Sequence, residues 1–377
     1  MPGVEELLEE KHVCICAGSG GVGKTTAAAA IALGMARRGL KVCVLTIDPA
    51  KRLADSLGLE ELGNEARRVD PALLKSQGVP VEGELWAMML DAKATFDELV
   101  ARHAPDEASR ERVLENRIYQ QISSALAGSQ EYMAMEKLFE LHSEGRFDLL
   151  VLDTPPSRNA LDFLDAPRRL MQFIEGRSLR VFMKPTGVAA RVAGRGASVA
   201  LSVLKRIVGF DLLADLSEFF TAMSGMVDGF RERARRVDAL LAARETTFLV
   251  VCGPQGEPVD EAVYFHRKLV QAKLPFGGVI VNKVHTFPGH ADGDGEDLGG
   301  ALAADLGDPQ LAEKVAANYL DFLVLAERDR RNIDHLAAEL RTSSVIRVPY
   351  LDEDVHDVAG LAELDRHLFA AAEPQRV

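Results

Sequence analysis

Cysteine is scarce in this 377-residue chain, and its four cysteines do not have the spacing of a metal site. Cys14, Cys16, Cys43 and Cys252 each lie in a strand-like apolar segment, and no second Cys or His pair has zinc-like spacing. The nine histidines form no H-E-x-x-H or similar cluster. A metal role for the C-x-C pair stays open, but we expect buried thiols in a reducing compartment and no structural metal site.

The sequence also has no long apolar run and no excess of basic residues. No run approaches the roughly 18 residues that a membrane-spanning helix needs, and the N-terminal MPGVEELLEEKH has no apolar signal-peptide core. The formal net charge is −13, from 44 Lys and Arg against 57 Asp and Glu, whereas nucleic acid favours a basic surface. These absences predict a cytoplasmic globular protein that does not bind nucleic acid.

The stretch AGSGGVGKTT, residues 17–26, has the pattern of a phosphate-binding loop. Gly18, Gly23, Lys24 and Thr25 satisfy G-x-x-x-x-G-K-[ST], in which the lysine reaches the β/γ oxygens and the Thr hydroxyl contacts Mg²⁺. An apolar run precedes the loop and a helix-forming stretch follows it. This order of strand, loop and helix favours a nucleotide site over an ordinary glycine-rich turn.

Strand-like apolar runs recur along the chain with helical stretches between them, which predicts a doubly wound α/β fold with a mostly parallel sheet. In such a sheet, ligands bind at the carboxyl ends of the strands. The runs are residues 12–17, 41–47, 84–90, 147–153, 246–253, 277–283 and 343–349.

Two long intervals do not fit the sheet and are helical in pattern. We expect residues 95–145 and 165–241 to form an inserted helical subdomain. The nucleotide-binding core would then comprise residues 1–94, 146–164 and 242–377. A further segment, 289–300, is acidic and rich in glycine, which is typical of a surface loop.

Three polar residues lie at or just after the ends of strand-like runs, where a ligand is expected. Asp153 is placed to hold Mg²⁺, and Asp48 to orient or deprotonate the water that attacks the γ-phosphate. For both, a helix N-cap is the alternative. The amide of Asn282 offers a donor and an acceptor, as adenine requires, although an ordinary Asx turn would explain it too.

The motifs GSGGVGKTT, DPAKRLADSLG, DTPPSRNALDFL, VNK and VPYLDEDVHDVAGL occur in this order. The chain thereby resembles the arsenite-pump and tail-anchored-protein-targeting ATPases, within the deviant Walker A group of P-loop proteins. The resemblance implies a dimeric ATPase that uses ATP and Mg²⁺, with Asp48 as the switch I catalytic aspartate and Asp153 at the start of switch II. It also implies that Asn282 reads adenine beside the Pro349 loop. The phosphate-binding residues it implies are Gly20, Gly21, Val22, Gly23, Lys24, Thr25 and Thr26.

One departure from the family lies within the loop itself. Targeting members have a lysine at the position of Ser19, and that lysine reaches the partner subunit's phosphates. A serine is uncharged and too short to do so. Three explanations stay open: Lys51 or Arg52 substitutes for the lysine, a paralogous ATPase supplies it across a heterodimer, or the chain hydrolyses ATP slowly and acts as a switch.

The family's cysteine motifs are also missing. The chain has neither the C-x-x-C pair that joins some targeting subunits nor a cysteine in the helical intervals that could bind arsenite. Arsenite transport is therefore disfavoured.

Residues 167–206 combine strong positive charge with apolar residues. They contain nine basic residues against Glu175 alone, interspersed with Met and Phe. This composition suits a surface for a hydrophobic or membrane-associated client, because Met adapts to many apolar shapes. The alternative is an ordinary helical core with solvated arginines.

The sequence therefore favours a dimeric ATPase that handles such a client. A weakly hydrolysing regulatory subunit of a heterodimer is the alternative. A partition or positioning ATPase fits less well, because the chain is acidic and carries long helical insertions.

Overall fold

The computed structural model describes five long stretches of the chain and four isolated residues. They are residues 3–48, 51–122, 129–155, 225–286 and 306–370, with 166, 219, 221 and 302 as the isolated positions. The acidic segment 289–300, residues 167–206 and most of the interval 165–241 lie outside the described residues.

Eight strands in the described part of the chain form one sheet in the order β3-β4-β2-β5-β1-β6-β7-β8. Strand β3 is antiparallel to β4, and every other neighbouring pair is parallel. The strands are β1 (Val13–Ala17), β2 (Lys41–Thr46), β3 (Arg67–Arg68), β4 (Glu84–Met89), β5 (Leu149–Asp153), β6 (Thr246–Cys252), β7 (Phe276–Val284) and β8 (Val345–Pro349).

The helices lie between these strands, which is the arrangement of a doubly wound fold. Five of them begin at an aspartate whose carboxylate accepts a backbone N–H of the first turn. The described helices are α1 (Val4–Leu7), α2 (Lys24–Arg37), α3 (Arg52–Ser56), α4 (Pro71–Ser76), α5 (Ala92–His103), α6 (Glu107–Leu114), α7 (Arg117–Ile122), α8 (Ser129–Glu144), α9 (Val227–Leu241), α10 (Gly256–Ala272), α11 (Pro309–Leu340) and α12 (Val358–Phe369).

Both faces of the sheet are covered, because alternate strand residues point to opposite sides. In β1, Val13 and Ile15 belong to one apolar cluster with α5, α8, α9 and α10. Cys14 and Cys16 belong to a second cluster with α2 and α12. All four cysteines are buried and unpaired, as expected. Burial on both faces explains why the strands read as almost continuous apolar runs.

The predicted fold class is confirmed, and all seven predicted runs form strands with ends within two residues of the prediction. Strand β3 was not predicted. It consists of two exposed arginines paired antiparallel to β4 at the edge of the sheet. Two charged residues carry no apolar pattern, so nothing in the local sequence indicates this strand.

Helices of the two predicted helical intervals contact each other where both are described. Arg233 of α9 donates from Nε to Glu136 Oε1 of α8 at 2.5 Å, and its guanidinium lies over the Phe139 ring, 4.3 Å from the centroid. The boundaries of a separate helical subdomain stay a prediction. No described helix is long and apolar enough to cross a membrane.

Strand register brings the predicted site residues together. Asp153, the last residue of β5, lies opposite Thr46 of β2 on one side and Cys16 of β1 on the other. The glycine loop follows β1 directly. The carboxyl ends of β1, β2 and β5 therefore converge beside that loop, at the point where the strand order reverses direction.

Candidate functional site

Two glycines of the loop between β1 and α2 combine a positive φ angle with a lack of room for a side chain. Gly18 and Gly23 have φ angles of 153° and 89°, which other residues rarely adopt. A Cβ on Gly18 would overlap the Val251 carbonyl of β6, and one on Gly23 would overlap the side-chain amide of Asn282. The loop is thus pressed against the ends of β6 and β7.

The first turn of α2 is open to an anion. The helix begins at Lys24, and no side chain caps its N-terminus. Its first backbone N–H groups, including those of Thr25 and Thr26, have no partner within the helix. Gly20 and Gly21 are exposed in front of this turn, and Val22 is buried behind it. Backbone donors at a helix N-terminus bind phosphate well, because the helix dipole adds to their positive charge.

Lys24 is a buried cation that faces two carboxylates. Its side chain is buried, and its Nζ donates to the backbone carbonyl of Ser19 at 2.6 Å. Burial lowers the pKa of Lys24, while the charges of Asp153 and Asp48 oppose that shift. A polyphosphate would favour the ammonium form and offset the cost of burying it.

Asp153 is held by two hydroxyl groups. Thr25 Oγ1 donates to Asp153 Oδ2 at 2.7 Å, and Thr46 Oγ1 donates to the same oxygen at 2.9 Å. The carboxylate is only 1% exposed. Burial raises the pKa of Asp153 to about 6, although both hydroxyl bonds and the Lys24 charge favour the ionised form. Because these contacts do not offset the cost of burying its negative charge, Asp153 is suited to bind a cation.

The other oxygen of Asp153 fits the Mg²⁺ that the family implies. Asp153 Oδ1 is buried and has no hydrogen-bond partner among the described residues. Together with Thr25 Oγ1 it offers hard oxygen ligands of the type that Mg²⁺ prefers. No cluster of three or more His, Cys, Asp or Glu residues in the described part of the chain could hold a metal. A Mg²⁺ here would therefore depend on phosphate oxygens and water, as is common for this ion.

Asp48 reaches the same site from β2. Its backbone N–H donates to Thr46 Oγ1 at 3.2 Å, and Asp48 lines the cavity in front of the loop. Helix α3 begins at Arg52 with Lys51 as its N-cap, so Asp48 does not cap that helix. Thr46 thus connects the two predicted aspartates and was not itself predicted as a site residue.

Asn282 connects β7 to the glycine loop. Its Nδ2 donates to the carbonyl of Val22 at 2.9 Å, and its Oδ1 accepts the N–H of Lys283 at 3.0 Å. Lys283 has a left-handed backbone with φ of 62°, at a register shift between β7 and β8. The side chain of Asn282 is therefore committed at both ends to the backbone, and adenine recognition by this residue stays a prediction.

A cavity of about 500 Å³ extends from the loop to the segment that follows β8. Such a volume suits a small ligand. Pro349, Lys24, Thr25, Asp48 and Asn282 are among its lining residues, and the role of Pro349 beside adenine stays a prediction. Further lining residues were not predicted individually, although all but Leu364 lie within the quoted motifs: Thr154, Lys283, Tyr350, Leu351, Glu353, Asp354, Val355 and Leu364.

The structure also locates the residues that bear on the missing lysine. Ser19 Oγ is buried and has no hydrogen-bond partner in the described stretches. Arg52 is exposed and lines the cavity, whereas Lys51 is exposed but is not among the lining residues. Of the two switch I cations, Arg52 is the better placed.

A parallel sheet with a glycine loop after its central strand and a buried lysine, threonine and aspartate at the strand ends defines a P-loop nucleotide hydrolase. Residues 11–298 match the family model described as anion-transporting ATPase, so the chain belongs to that family and is an ATP-hydrolysing P-loop enzyme. The predicted family resemblance is confirmed.

Three relatives illustrate the match. An "ATPase GET3" of Podospora anserina is 22% identical over 76% of this chain and 77% of its own length. An "ATPase ASNA1 homolog 2" of Paramecium tetraurelia is 24% identical over 76% of this chain and 80% of its own. A protein of Aquifex aeolicus named as an arsenical pump-driving ATPase is 26% identical over 72% of this chain and 63% of its own.

Proposed function

We propose that this chain is a Mg²⁺-dependent ATPase that acts as a dimer and couples ATP binding and hydrolysis to a helical surface for a hydrophobic or membrane-associated client. One observation carries the catalytic part. Asp153 is buried with one oxygen on Thr25 and Thr46 and the other without a partner among the described residues, beside the buried Lys24. This arrangement leaves one buried cation and one buried anion to be balanced by a Mg²⁺-polyphosphate.

Each residue of the loop then has a defined task. The backbone N–H groups from Gly20 to Thr26 donate to phosphate oxygens, and Lys24 supplies positive charge to the β/γ oxygens. Thr25 and Asp153 hold Mg²⁺, which when bound neutralises the charge that develops on the phosphates.

Asp48 acts on the attacking water. We assign it the role of accepting a hydrogen bond, and then a proton, from the water that attacks the γ-phosphate. Its position on the cavity wall supports this role. Its backbone bond to Thr46 supports it as well, because that bond fixes Asp48 relative to Asp153.

This chain has Ser19 instead of a lysine at the loop position that would act in trans. We propose that the cation comes either from a paralogous partner in a heterodimer or from Arg52 of this chain. Exposure of Arg52 at the cavity supports the second source. If neither supplies it, the chain is a weakly hydrolysing regulatory subunit, which is the alternative function. A partition or positioning ATPase has less support, because the net charge is −13.

The client surface is assigned to the helical subdomain, with the boundaries 95–145 and 165–241. Its support is the composition of residues 167–206 and the resemblance to targeting ATPases. Although one relative is named for an arsenical pump, we do not propose arsenite handling. All four cysteines of this chain are buried, in strands β1, β2 and β6. Unpaired thiols suit the cytoplasm, where we place the protein.

Turnover of the purified chain separates the main proposal from the alternative. We expect ATP hydrolysis that requires Mg²⁺ and is abolished by a chelator. Hydrolysis that rises with the concentration of this chain alone supports a homodimer with its own cation. Hydrolysis that appears only after a paralog with a lysine at the Ser19 position is added supports the heterodimer. No hydrolysis under either condition would contradict the catalytic proposal.

A further inference from the structure

Tyr350 is an exposed aromatic residue at the far end of the nucleotide cavity. It follows β8 directly, is 59% exposed and lines the cavity. Its backbone N–H donates to the Val284 carbonyl at 2.9 Å, which fixes the backbone at this point to the end of β7. Leu351, Val355 and Leu364 also line the cavity. This end therefore offers an aromatic ring and apolar side chains, with the carboxylates of Glu353 and Asp354 beside them.

His285 packs against the ring of Tyr350. The two ring centroids are 5.9 Å apart, and the ring planes differ by 18°, so the rings are close to parallel. Phe322 of α11 meets the His285 ring edge-on at a centroid distance of 5.3 Å. One side of the Tyr350 ring is thus supported by the protein, although most of the residue is exposed.

His285 is itself fixed by a buried carboxylate. Asp329 of α11 is fully buried, and its Oδ2 accepts the backbone N–H of His285 at 3.1 Å and lies 2.7 Å from His285 Nδ1. Arg328 donates to the other oxygen at 3.2 Å. These contacts hold the imidazole ring in one orientation. Burying a carboxylate is costly unless it is paired and hydrogen-bonded. The backbone N–H and Nδ1 of His285 both contact this carboxylate, and the two contacts fix the imidazole ring against Tyr350.

The position of Tyr350 relative to the phosphate-binding loop decides which part of a nucleotide it could contact. The strand order β1-β6-β7-β8 places the glycine loop, Asn282 of β7 and Tyr350 after β8 in succession along the sheet edge, and residues of all three line the cavity. A nucleotide with its phosphates on the loop has its base directed away from them, toward the aromatic and apolar end. Planar bases bind well to an aromatic ring that is already held in place, because stacking then costs little side-chain entropy.

We propose that Tyr350 stacks on the base of the bound nucleotide, and that His285 and Asp329 are positioning residues that hold its ring for this purpose. This inference rests on the assignment of the nucleotide cavity above. It extends that assignment to Tyr350, within the motif VPYLDEDVHDVAGL, and to His285 and Asp329, which lie outside the motifs. It also makes helix α11 part of the support of the base.

The test compares two ligands that share phosphates but not a base, Mg²⁺-ATP and Mg²⁺-tripolyphosphate, by calorimetry on the full chain. Tyr350→Ala should weaken ATP binding roughly tenfold, within the usual range for loss of one stacked base. Affinity for tripolyphosphate should not change. Tyr350→Phe should restore ATP affinity, because the phenyl ring stacks without the hydroxyl. Tyr264→Ala, at a tyrosine of α10 that is 45% exposed, is the matched control and should change neither affinity.

The positioning pair is tested in the same way. His285→Ala and Asp329→Asn should each weaken ATP binding severalfold without changing tripolyphosphate binding. If Asp329→Asn does not fold, His285→Ala still decides the question, because it leaves the helix carboxylate in place.

Two outcomes would overturn the inference. Tyr350→Ala with unchanged ATP affinity would show that the ring does not contact the base. Equal weakening of ATP and tripolyphosphate would show that Tyr350 has a general structural role. Failure of the wild-type chain to bind either ligand would instead refute the assignment of the nucleotide cavity.

Discussion

At the end of the cavity that we assign to the phosphates, most contacts come from the continuous stretch 18–26, and Asp153 is added from the end of β5. The end that we assign to the base is lined by residues at the ends of β7 and β8 and of the segment 350–355, and α11 supports it through His285. The phosphate end uses backbone N–H groups, a buried lysine and a buried aspartate. The base end uses an exposed tyrosine, supported by a histidine and by a buried carboxylate 44 residues further along the chain.

The comparison shows how differently the two ends depend on the rest of the fold. A glycine loop is specified locally, because the φ angles of Gly18 and Gly23 already direct the backbone. The base end exists only after β7, β8 and α11 have packed together. We therefore expect substitutions at the phosphate end to affect every phosphate ligand, and substitutions at the base end to affect only ligands with a base.

The largest effect should follow from Lys24→Ala. This change removes the buried cation at the phosphate end, and a lost charge-assisted contact of this kind weakens binding by about 100-fold. ATP and tripolyphosphate should both lose affinity, and turnover should vanish. Calorimetry and a phosphate-release assay measure this. Lys283→Ala, at an exposed lysine that lines the same cavity, is the control and should change affinity little. Near-normal binding by Lys24→Ala would refute the phosphate end as described.

Asp48→Asn should separate catalysis from binding. Loss of a positioned general base lowers turnover by roughly 10²- to 10⁴-fold, whereas the phosphate contacts of the loop remain. Single-turnover hydrolysis and ATP affinity should be measured together, with Asp55→Asn on the exposed surface of α3 as the control. If ATP affinity collapses while the rate constant holds, Asp48 has a structural role instead.

Ser19→Lys tests the missing cation. A trans cation accelerates phosphoryl transfer by roughly 10³- to 10⁵-fold when well placed, so even an imperfectly placed lysine should raise turnover about tenfold. The gain should grow with protein concentration, because it requires a dimer. Ser19→Ala adds no charge and should leave the rate unchanged. An unchanged rate for Ser19→Lys, together with a lost rate for Arg52→Ala, would place the cation in switch I.

The smallest expected effect is that of Asp153 on the folding stability of the ligand-free protein. The pKa of Asp153 is about 6 in the folded chain, against 3.8 for a free aspartate. The folded state thus holds this proton more tightly, and its stability falls as pH rises through this window. The cost above pH 6 is about 3 kcal/mol at most.

Asp153→Asn should therefore raise the melting temperature of ligand-free protein above pH 6 and have little effect below about pH 4. It should also abolish the Mg²⁺ dependence of nucleotide binding. Thermal melts across this pH range measure the first effect. A variant that melts lower than wild type at pH 7.5 would show that ionised Asp153 is stabilised in the empty site.

The contrast between the two ends also explains what the sequence could predict. The loop and strand positions follow from contiguous patterns, so the fold class and the position of Asp153 at a strand end were correctly predicted. The contacts of Thr46 with Asp153 depend on pairing between β2 and β5, which are separated by about 100 residues of chain. A single polar residue late in an apolar run was the available signal.

The contacts at the base end were less predictable from the sequence. No sequence pattern around His285 or Tyr350 indicates that Asp329 contacts His285, because α11 meets these residues only in the folded chain. The bond from Asn282 to the Val22 carbonyl was likewise not predictable, since it depends on how closely β7 approaches the loop. Local patterns specify strands and loops, whereas side chains that meet across the sheet require the assembled fold.

If both assignments hold, one bound nucleotide contacts both ends of the cavity. Hydrogen exchange with and without a nonhydrolysable Mg²⁺-ATP analogue tests it directly, because ligand contacts slow the local opening that permits exchange. We expect added protection in peptides that cover residues 18–26 and in peptides that cover residues 349–355. Nucleotide binding that protects neither segment, or only one of them, would contradict it.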